Sequence, residues 1–456
     1  MRLLNIQRRR RPKIAAAAGI VAIAAAAGLS ACGSPNAVTQ PSATSAPPEF
    51  HQVSQASGSP ITVWVDSTRL PGVQAYQKSH PNVKMNIVTY SGDANGSNYL
   101  QTKIELYDRA GSGWPDVVFS EEYNDAAWST AQGTDWVAPL NKGVVPQATL
   151  DGFAPNALAP CTVDGNVYCL RNDIGQNVLW YNAKLMKQFG YQVPTTWEQY
   201  QALGAQVAKQ HPGYITGSVG DPWTPEVYFW ASQCPANTIS GNSVAISTGN
   251  ANCTKMAALL DAGVKNGSLT KQSAFATSFV KQYAAKTLML IGPSWYGQYV
   301  FNAALKVPAG QVAAGAPLTW SGQSAPSTGD VGGGIWMVSK YSRNLAAAGA
   351  LAQYMATSND YQLTAPTYPA YKPAATAWLA AQAKQHYFAS DVSAVFEQAA
   401  NEIWGGWGTG RFSQENIWAA SMTPPINGGK TISSLLPAWQ TAIENQARSF
   451  GYTVGG

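Results

Sequence analysis

Apolar and polar positions alternate from Ile61 onward in a way that predicts a series of strands and helices. Ile61-Thr-Val-Trp-Val65 reads as a strand that stops at Asp66-Ser67-Thr68, and 73–79 reads as a helix ending before His80-Pro81. Val83, Met85 and Ile87 alternate with polar residues as a second strand. Leu100, Ile104 and Tyr107 share one face of a helix closed by Gly111. Asp116-Val-Val-Phe119 reads as a buried strand whose end carries the polar run 120–124, where side chains emerge at the carboxyl end of a sheet. This alternation predicts an α/β lobe with a mainly parallel sheet. Further on, Thr195-Thr-Trp-Glu198 has capping-box spacing and opens a helix with Trp197, Tyr200, Leu203 and Val207 on one face. Helices are expected at 257–264, 274–283 and 345–356, and strands at 288–291 and 335–338.

The stretch 161–182, CTVDGNVYCLRNDIGQNVLWYN, organises the rest. Asp164-Gly165 is a turn pair that supplies positive backbone φ, flanked by the extended apolar segments around 167–170 and 178–181. The polar run 171–177 between them is expected to lie outside the core, as a surface loop or as a polar lining between two lobes. With 456 residues, two lobes or domains are expected.

Charge changes the picture at the N-terminus. Six of the 29 Lys and Arg lie within the first thirteen residues, and the other 23 stand against 24 Asp and Glu, so no basic patch remains to recruit nucleic acid. The basic start, the apolar run 14–29 and Leu29-Ser-Ala-Cys32 form a targeting segment too short for a membrane span. Leu-Ser-Ala-Cys-Gly resembles the bacterial lipobox, which implies cleavage before Cys32 and lipidation of that cysteine. Residues 33–60, rich in Ser, Pro, Ala and Gln, read as a tether with a reach of about 30 Å for some thirty flexible residues. Four cysteines then remain in an exported chain. Of the three possible pairings, Cys161 with Cys169 and Cys234 with Cys253 are favoured, because each closes a short loop around turn-forming residues. With no CxxC and no ligand spacing among the four histidines, neither metal nor cofactor is expected.

Several blocks, in order, resemble family 1 of the extracellular solute-binding proteins, the maltose-binding-like receptors of carbohydrate ABC importers. They are Trp114-Pro-Asp-Val-Val118, Gly133 and Ala138-Pro-Leu140; 164–168 through Leu179-Trp-Tyr-Asn182 to Pro194-Thr-Thr-Trp197; Gly292-Pro-Ser-Trp295; and 332–340, GGGIWMVSK. The resemblance implies an α/β, two-lobe fold with a hinge and an interlobe cleft. It implies a signal peptide at 1–31 and a lipid-attached tether at 32–60. The first lobe would take 61–165 plus about 325–366, and the second 166–324 plus about 367–456. On this reading 161–182 becomes a lobe crossing. The implied function is a lipid-anchored extracytoplasmic receptor that captures a sugar or oligosaccharide and delivers it to permease subunits, as a monomer. A receptor for a glycerophosphodiester or amino-sugar derivative is the alternative, and a secreted carbohydrate-active enzyme using Glu121 and Asp173 as acid and nucleophile the weaker rival. No nucleophile elbow, HExxH or P-loop supports an enzyme. Three departures stand out: Arg171 occupies a usual proline position, the turn at 292–295 is one residue longer than Gly-Pro-Trp, and a position that binds sugar in some relatives is Gly175.

A sugar site needs aromatic plates against C–H faces and fixed amide or carboxylate partners for hydroxyls. Trp295 and Tyr296 leave a strand through a Gly-Pro turn. Trp230 and Trp407 are further aromatic candidates, whereas Trp336 within a strand is expected in the core. Asp66, Glu122, Asp173 and Asn177 are candidate hydrogen-bond partners, with Tyr123 and Asn124. Glu121 and Glu122, being adjacent, are expected to point apart, with Glu122 the better candidate. Gly333 and Gly334 would allow close backbone approach, and Arg411 would meet hydroxyls or an anion.

Overall fold

The computed structural model describes residues 50, 53–94 and 97–455; the expected signal peptide, Cys32 and most of the expected tether lie outside the described residues. The first sheet has the strand order 85–89, 61–65, 117–120, 335–338, 169–171, with 335–338 antiparallel to both of its neighbours and the other pairings parallel. Val117–Ser120 and Ile335–Val338 are buried throughout, as strands covered on both faces must be. Strand alternation sorts their side chains. Val63, Val65, Val117, Phe119, Trp336 and Val338 pack toward the helices Leu70–Ser79 and Leu345–Thr357, while Trp64, Val118, Ile335 and Met337 pack with Leu100 and Ile104 of helix Tyr99–Ala110. Gly111, with φ of 65°, ends that helix.

The second sheet is built on Asn177–Asn182, antiparallel to Met289–Pro293 on one side and Val312–Gly315 on the other. A bridge between Ile215 and Thr287 extends it toward the short parallel pair 217–218 and 269–270. Helices Trp197–Gln210, Ala251–Asn266 and Ile432–Ser449 pack in succession beside it. The capping box of the first falls one residue later than expected: Thr196 accepts from Gln199 N, and Gln199 Oε1 accepts from Thr195 N at 2.9 Å. Glu198 instead accepts from Lys255 and Ser321 N. Both disulfides form in the favoured pairing, Cys161 with Cys169 and Cys234 with Cys253. The first closes the hairpin turned at Asp164-Gly165, both at positive φ.

The two sheets are joined by three passes of the chain: 172–176, 329–334 and 367–371. The first lies between the others. Ile174 N donates to Tyr368 O at 3.0 Å on one side, and Val331 N donates to Gly175 O at 3.0 Å on the other. Here the expectation that 171–177 lies outside the core is overturned, because every residue from Arg171 to Asn177 is buried. Each polar side chain finds a partner in a neighbouring pass, strand or helix. Arg171 Nη2 donates to Asp330 and to Gly332 O; Asn172 Oδ1 accepts from Trp336 Nε1; Asn177 Nδ2 donates to Glu226 O; and Gln176 Nε2 donates to Phe396 O. Trp336 is core, as expected.

Gly175 shows how tightly the passes fit, since a Cβ there would overlap the carbonyl oxygen of Val331. Gly175→Ala is therefore expected to lower stability by roughly 2–4 kcal/mol in denaturant unfolding, against less than about 0.5 for Gly249→Ala, whose Cβ would meet open space.

Candidate functional site

At the carboxyl end of the first strand, Asp66 accepts the backbone N–H of Arg69 at 2.9 Å, and its other oxygen pairs with the Arg69 guanidinium at 3.0 Å. This arrangement aims Arg69 across the sheet end. It donates to Glu121 at 3.0 Å, lies 3.8 Å from Asp173, and stacks 4.4 Å above the Phe119 ring. Burial alone would lower its pKa, but Asp173, Asp66 and Glu121 outweigh that and hold it well above the ordinary arginine value.

Arg69, Glu121, Glu122 and Asp173 line one side of a cavity of about 380 Å³ floored by Val331 and Gly332–Gly334. Trp223, Phe275, Trp295 and Tyr299 line the other side. Trp295 is oriented by Nε1–H donation to Val331 O at 3.0 Å and by edge contacts with Trp223 and Tyr296. The extra serine in its turn is absorbed by Ser294 N donating to Gln176 O at 2.9 Å, so Trp295 still reaches the cavity. A narrow constriction of about 20 Å³, lined among others by Glu121, Glu122, Tyr123, Asn124, Glu226 and Glu415, leads away from it. Its remaining walls include Trp407–Thr409, which also border a second cavity of about 360 Å³. There Trp230 and Trp407 lie with ring planes 7° apart, and Arg411 is a neighbour.

The structure thus brings Glu122, Asp173, Trp295, Gly333 and Gly334 to one cavity, with Tyr123 and Asn124 at its constriction and Trp230, Trp407 and Arg411 at the second cavity. Three expected site residues line none of these spaces. Asp66 is committed to Arg69; Asn177 is buried between Glu226 and the second pass; and the buried Tyr296 hydroxyl accepts from Trp223 Nε1 at 2.8 Å. Arg411 donates through Nη1 to Asn242 Oδ1 and to Phe450 O and lies over Tyr452. Glu121 and Glu122 both line the cavity but have different neighbours, Glu121 pairing with Arg69 and Glu122 standing near Glu415 and Asp125. Sequence reasoning missed Arg69, Trp223, Phe275, Tyr299 and Glu415. Of these, Arg69 had a local signal as the last residue of the polar loop after the first strand, and Trp223 as an aromatic leaving the turn Gly220-Asp-Pro222.

The family of bacterial extracellular solute-binding proteins matches residues 62–362. The chain belongs to that family. A curated relative, an arabinooligosaccharide-binding protein of Halalkalibacterium halodurans, is 27% identical over 145 residues, and the match spans only 31% of this chain and 31% of that protein. Among solved structures, the galacto-N-biose/lacto-N-biose I-binding protein of an ABC transporter from Bifidobacterium longum, in complex with lacto-N-biose, superposes with a TM-score of 0.72 at 17% identity, covering 88% of this chain and all of that one. An ABC transporter associated binding protein of B. animalis subsp. lactis, bound to β-1,6-galactobiose, gives 0.70 at 20% identity, covering 87% and 99%. These likenesses establish the two-lobe α/β fold, in which the three passes are the lobe connections. Among the described residues of this solute-binding protein, no helix is long and apolar enough to cross a membrane.

Glu226, from the short helix Pro225–Phe229, and Glu415, from helix Gln414–Ser421, face Glu122 at the constriction. Burial first, and then one another's charge, push all three carboxyls up, Glu226 to about 8. The folded protein therefore holds the Glu226 proton more tightly than the unfolded chain, where the ordinary value is 4.5. The resulting stabilisation is complete below pH 4.5 and lost as pH rises through about 8. Denaturant unfolding at pH 5 and 8.5 is expected to show Glu226→Gln narrowing the wild-type loss of stability between those values, by roughly 1–3 kcal/mol.

Proposed function

We propose that this protein is the extracytoplasmic receptor of an ABC importer, capturing a sugar or oligosaccharide between its lobes and presenting it to the permease. The observation that carries this reading is the cavity of about 380 Å³ with Trp223, Phe275, Trp295 and Tyr299 on one wall and Glu121, Glu122 and Asp173 on the other. Aromatic faces match the C–H faces of a pyranose, and ionised carboxylates accept from adjacent hydroxyls. Relatives whose names record arabinooligosaccharide, lacto-N-biose and β-1,6-galactobiose support the same substrate class. The carboxyl-terminal side of the lipobox supplies the anchor in this reading: Cys32 carries lipid and residues 33–60 tether a monomeric body to the outer face of the membrane.

A hydrolase is disfavoured by the geometry of the pair once considered as acid and nucleophile. Glu121 and Asp173 are both held by the single guanidinium of Arg69. A glycerophosphodiester is disfavoured by the acidic lining of the cavity of about 380 Å³, where Arg69, the cation that borders it among the described residues, is already matched by three carboxylates.

A melting screen against neutral mono-, di- and oligosaccharides tests the reading. A true ligand at about a hundredfold excess over its Kd is expected to add about 2.7 kcal/mol and raise Tm by a few degrees. Trp295→Ala, which removes a half-buried plate, is expected to abolish that rise while the unliganded protein keeps its cooperative melt. Binding undiminished in this variant removes Trp295 from the site, and product formed on prolonged incubation favours the hydrolase.

A further inference from the structure

The constriction between the two cavities has a charge arrangement that a neutral sugar leaves unanswered. Glu121 and Glu122 approach from the end of the first sheet, and Glu226 and Glu415 from two helices of the other lobe, with no Lys, Arg or His on its lining. Of the neighbouring cations, Arg69 is matched by Asp66, Glu121 and Asp173 and Arg171 by Asp330, while Arg411 borders the second cavity and donates to Asn242 and Phe450 O. In a chain with only 12% charged residues, four carboxyls around so small a space form a concentrated demand for positive charge.

A second and independent feature points to a ligand group there. Asn237 and Gln414 also line the constriction and are 3% and 4% exposed. Asn237 Oδ1, both polar side-chain atoms of Gln414 (Oε1 and Nε2) and Oε2 of Glu226, which is 2% exposed, have no hydrogen-bond partner in the protein. Three residues that line one small space thus each carry an unmatched acceptor oxygen, and an ammonium group offers three donors and no acceptor. A volume of about 20 Å³ admits a group the size of one water and excludes a sugar ring. No group of three or more acidic, His or Cys side chains among the described residues converges as a metal site, so the cation that fits is organic. The cavities on either side have room for the rings that would carry it.

We infer that the preferred ligand is a saccharide bearing a protonated primary amine, with its rings in the flanking cavities and its ammonium group in the constriction between Glu122, Glu226 and Glu415. This deepens the sugar-receptor reading and rests on it. The upward push that burial gives these carboxyls fits the assignment, because an arriving cation would favour their ionised forms.

The test compares matched pairs by calorimetry at low ionic strength. Glucosamine, galactosamine and β-1,4-linked glucosamine dimers to tetramers are set against glucose, galactose and the N-acetylated oligomers of the same length. At least one amine is expected to bind about tenfold or more tighter than its neutral counterpart, with the ratio falling about tenfold in Glu415→Gln and in Glu122→Gln. Both positions are partly exposed, so the variants should fold, and a melt of each unliganded variant verifies it. Neutral sugars binding as well as or better than amines would overturn this inference and leave the sugar-receptor reading standing. A preference for amines that survives both substitutions would place the ammonium elsewhere and equally overturn it. If no sugar of either charge binds, the receptor reading fails and takes this inference with it.

Discussion

The ion pair between Arg171 and Asp330 is the constraint on which the junction depends. Arg171 is fully buried, and its guanidinium reaches from the last residue of a first-sheet strand to the second pass, at 3.0 Å from Asp330 and 2.9 Å from Gly332 O. Asp330 in turn accepts from Gly175 N at 2.8 Å, which ties the first pass to the second. A buried pair of this kind gains little net stability over an apolar alternative, yet loss of one partner strands the other's charge. Its effect here is positional. Gly333, at φ of 85°, gives the guanidinium its room, and the Tyr123 ring lies 5.5 Å from it, so the cavity floor and the mouth of the constriction are referenced to one side chain.

The same constraint explains why part of the fold was legible in the sequence and part was not. The strands at 61–65 and 335–338 and the helix closed by Gly111 announced themselves by period and by turn chemistry, which are local. The polar run 171–177 misled because local composition contains no record of the partners that satisfy it. Those partners, Asp330, Trp336, Glu226 and Phe396, lie between 49 and 220 residues away along the chain. Arg171 in a usual proline position looked like a departure from the family; in the structure it is the residue that fastens two passes together.

The site divides along similar lines. Glu122, Asp173 and Trp295 sit at strand ends and turns, where polar or aromatic residues leaving an apolar run stand out. Trp223 follows a Gly-Asp-Pro turn of the same kind, whereas Phe275 and Glu415 come from segments whose sequence carries no such break, and only packing turns them toward the cavity. Asp66 failed as a ligand contact for an instructive reason. A carboxylate at a strand end next to an arginine is satisfied by that arginine, and the pair then presents the arginine's remaining donors instead.

The walls of the candidate cleft are split between the two sheets and their helices. The carboxylates Glu121 and Glu122 belong to the first sheet's end, whereas the plates Trp223, Phe275, Trp295 and Tyr299 and the carboxylates Glu226 and Glu415 belong to the other side. A ligand that touches both sides links their separation to its own binding free energy, as hinge closure in this class of receptor requires. Like charges meeting at the constriction oppose that approach until something positive, or a proton, lies between them. Trp295, hydrogen-bonded to the second pass and packed against Trp223, ties the position of the connections directly to a wall of the cavity. Geometry at the connections and chemistry in the cleft are therefore set by one continuous network running from Arg171 through Asp330, Gly175 and Val331 to Trp295.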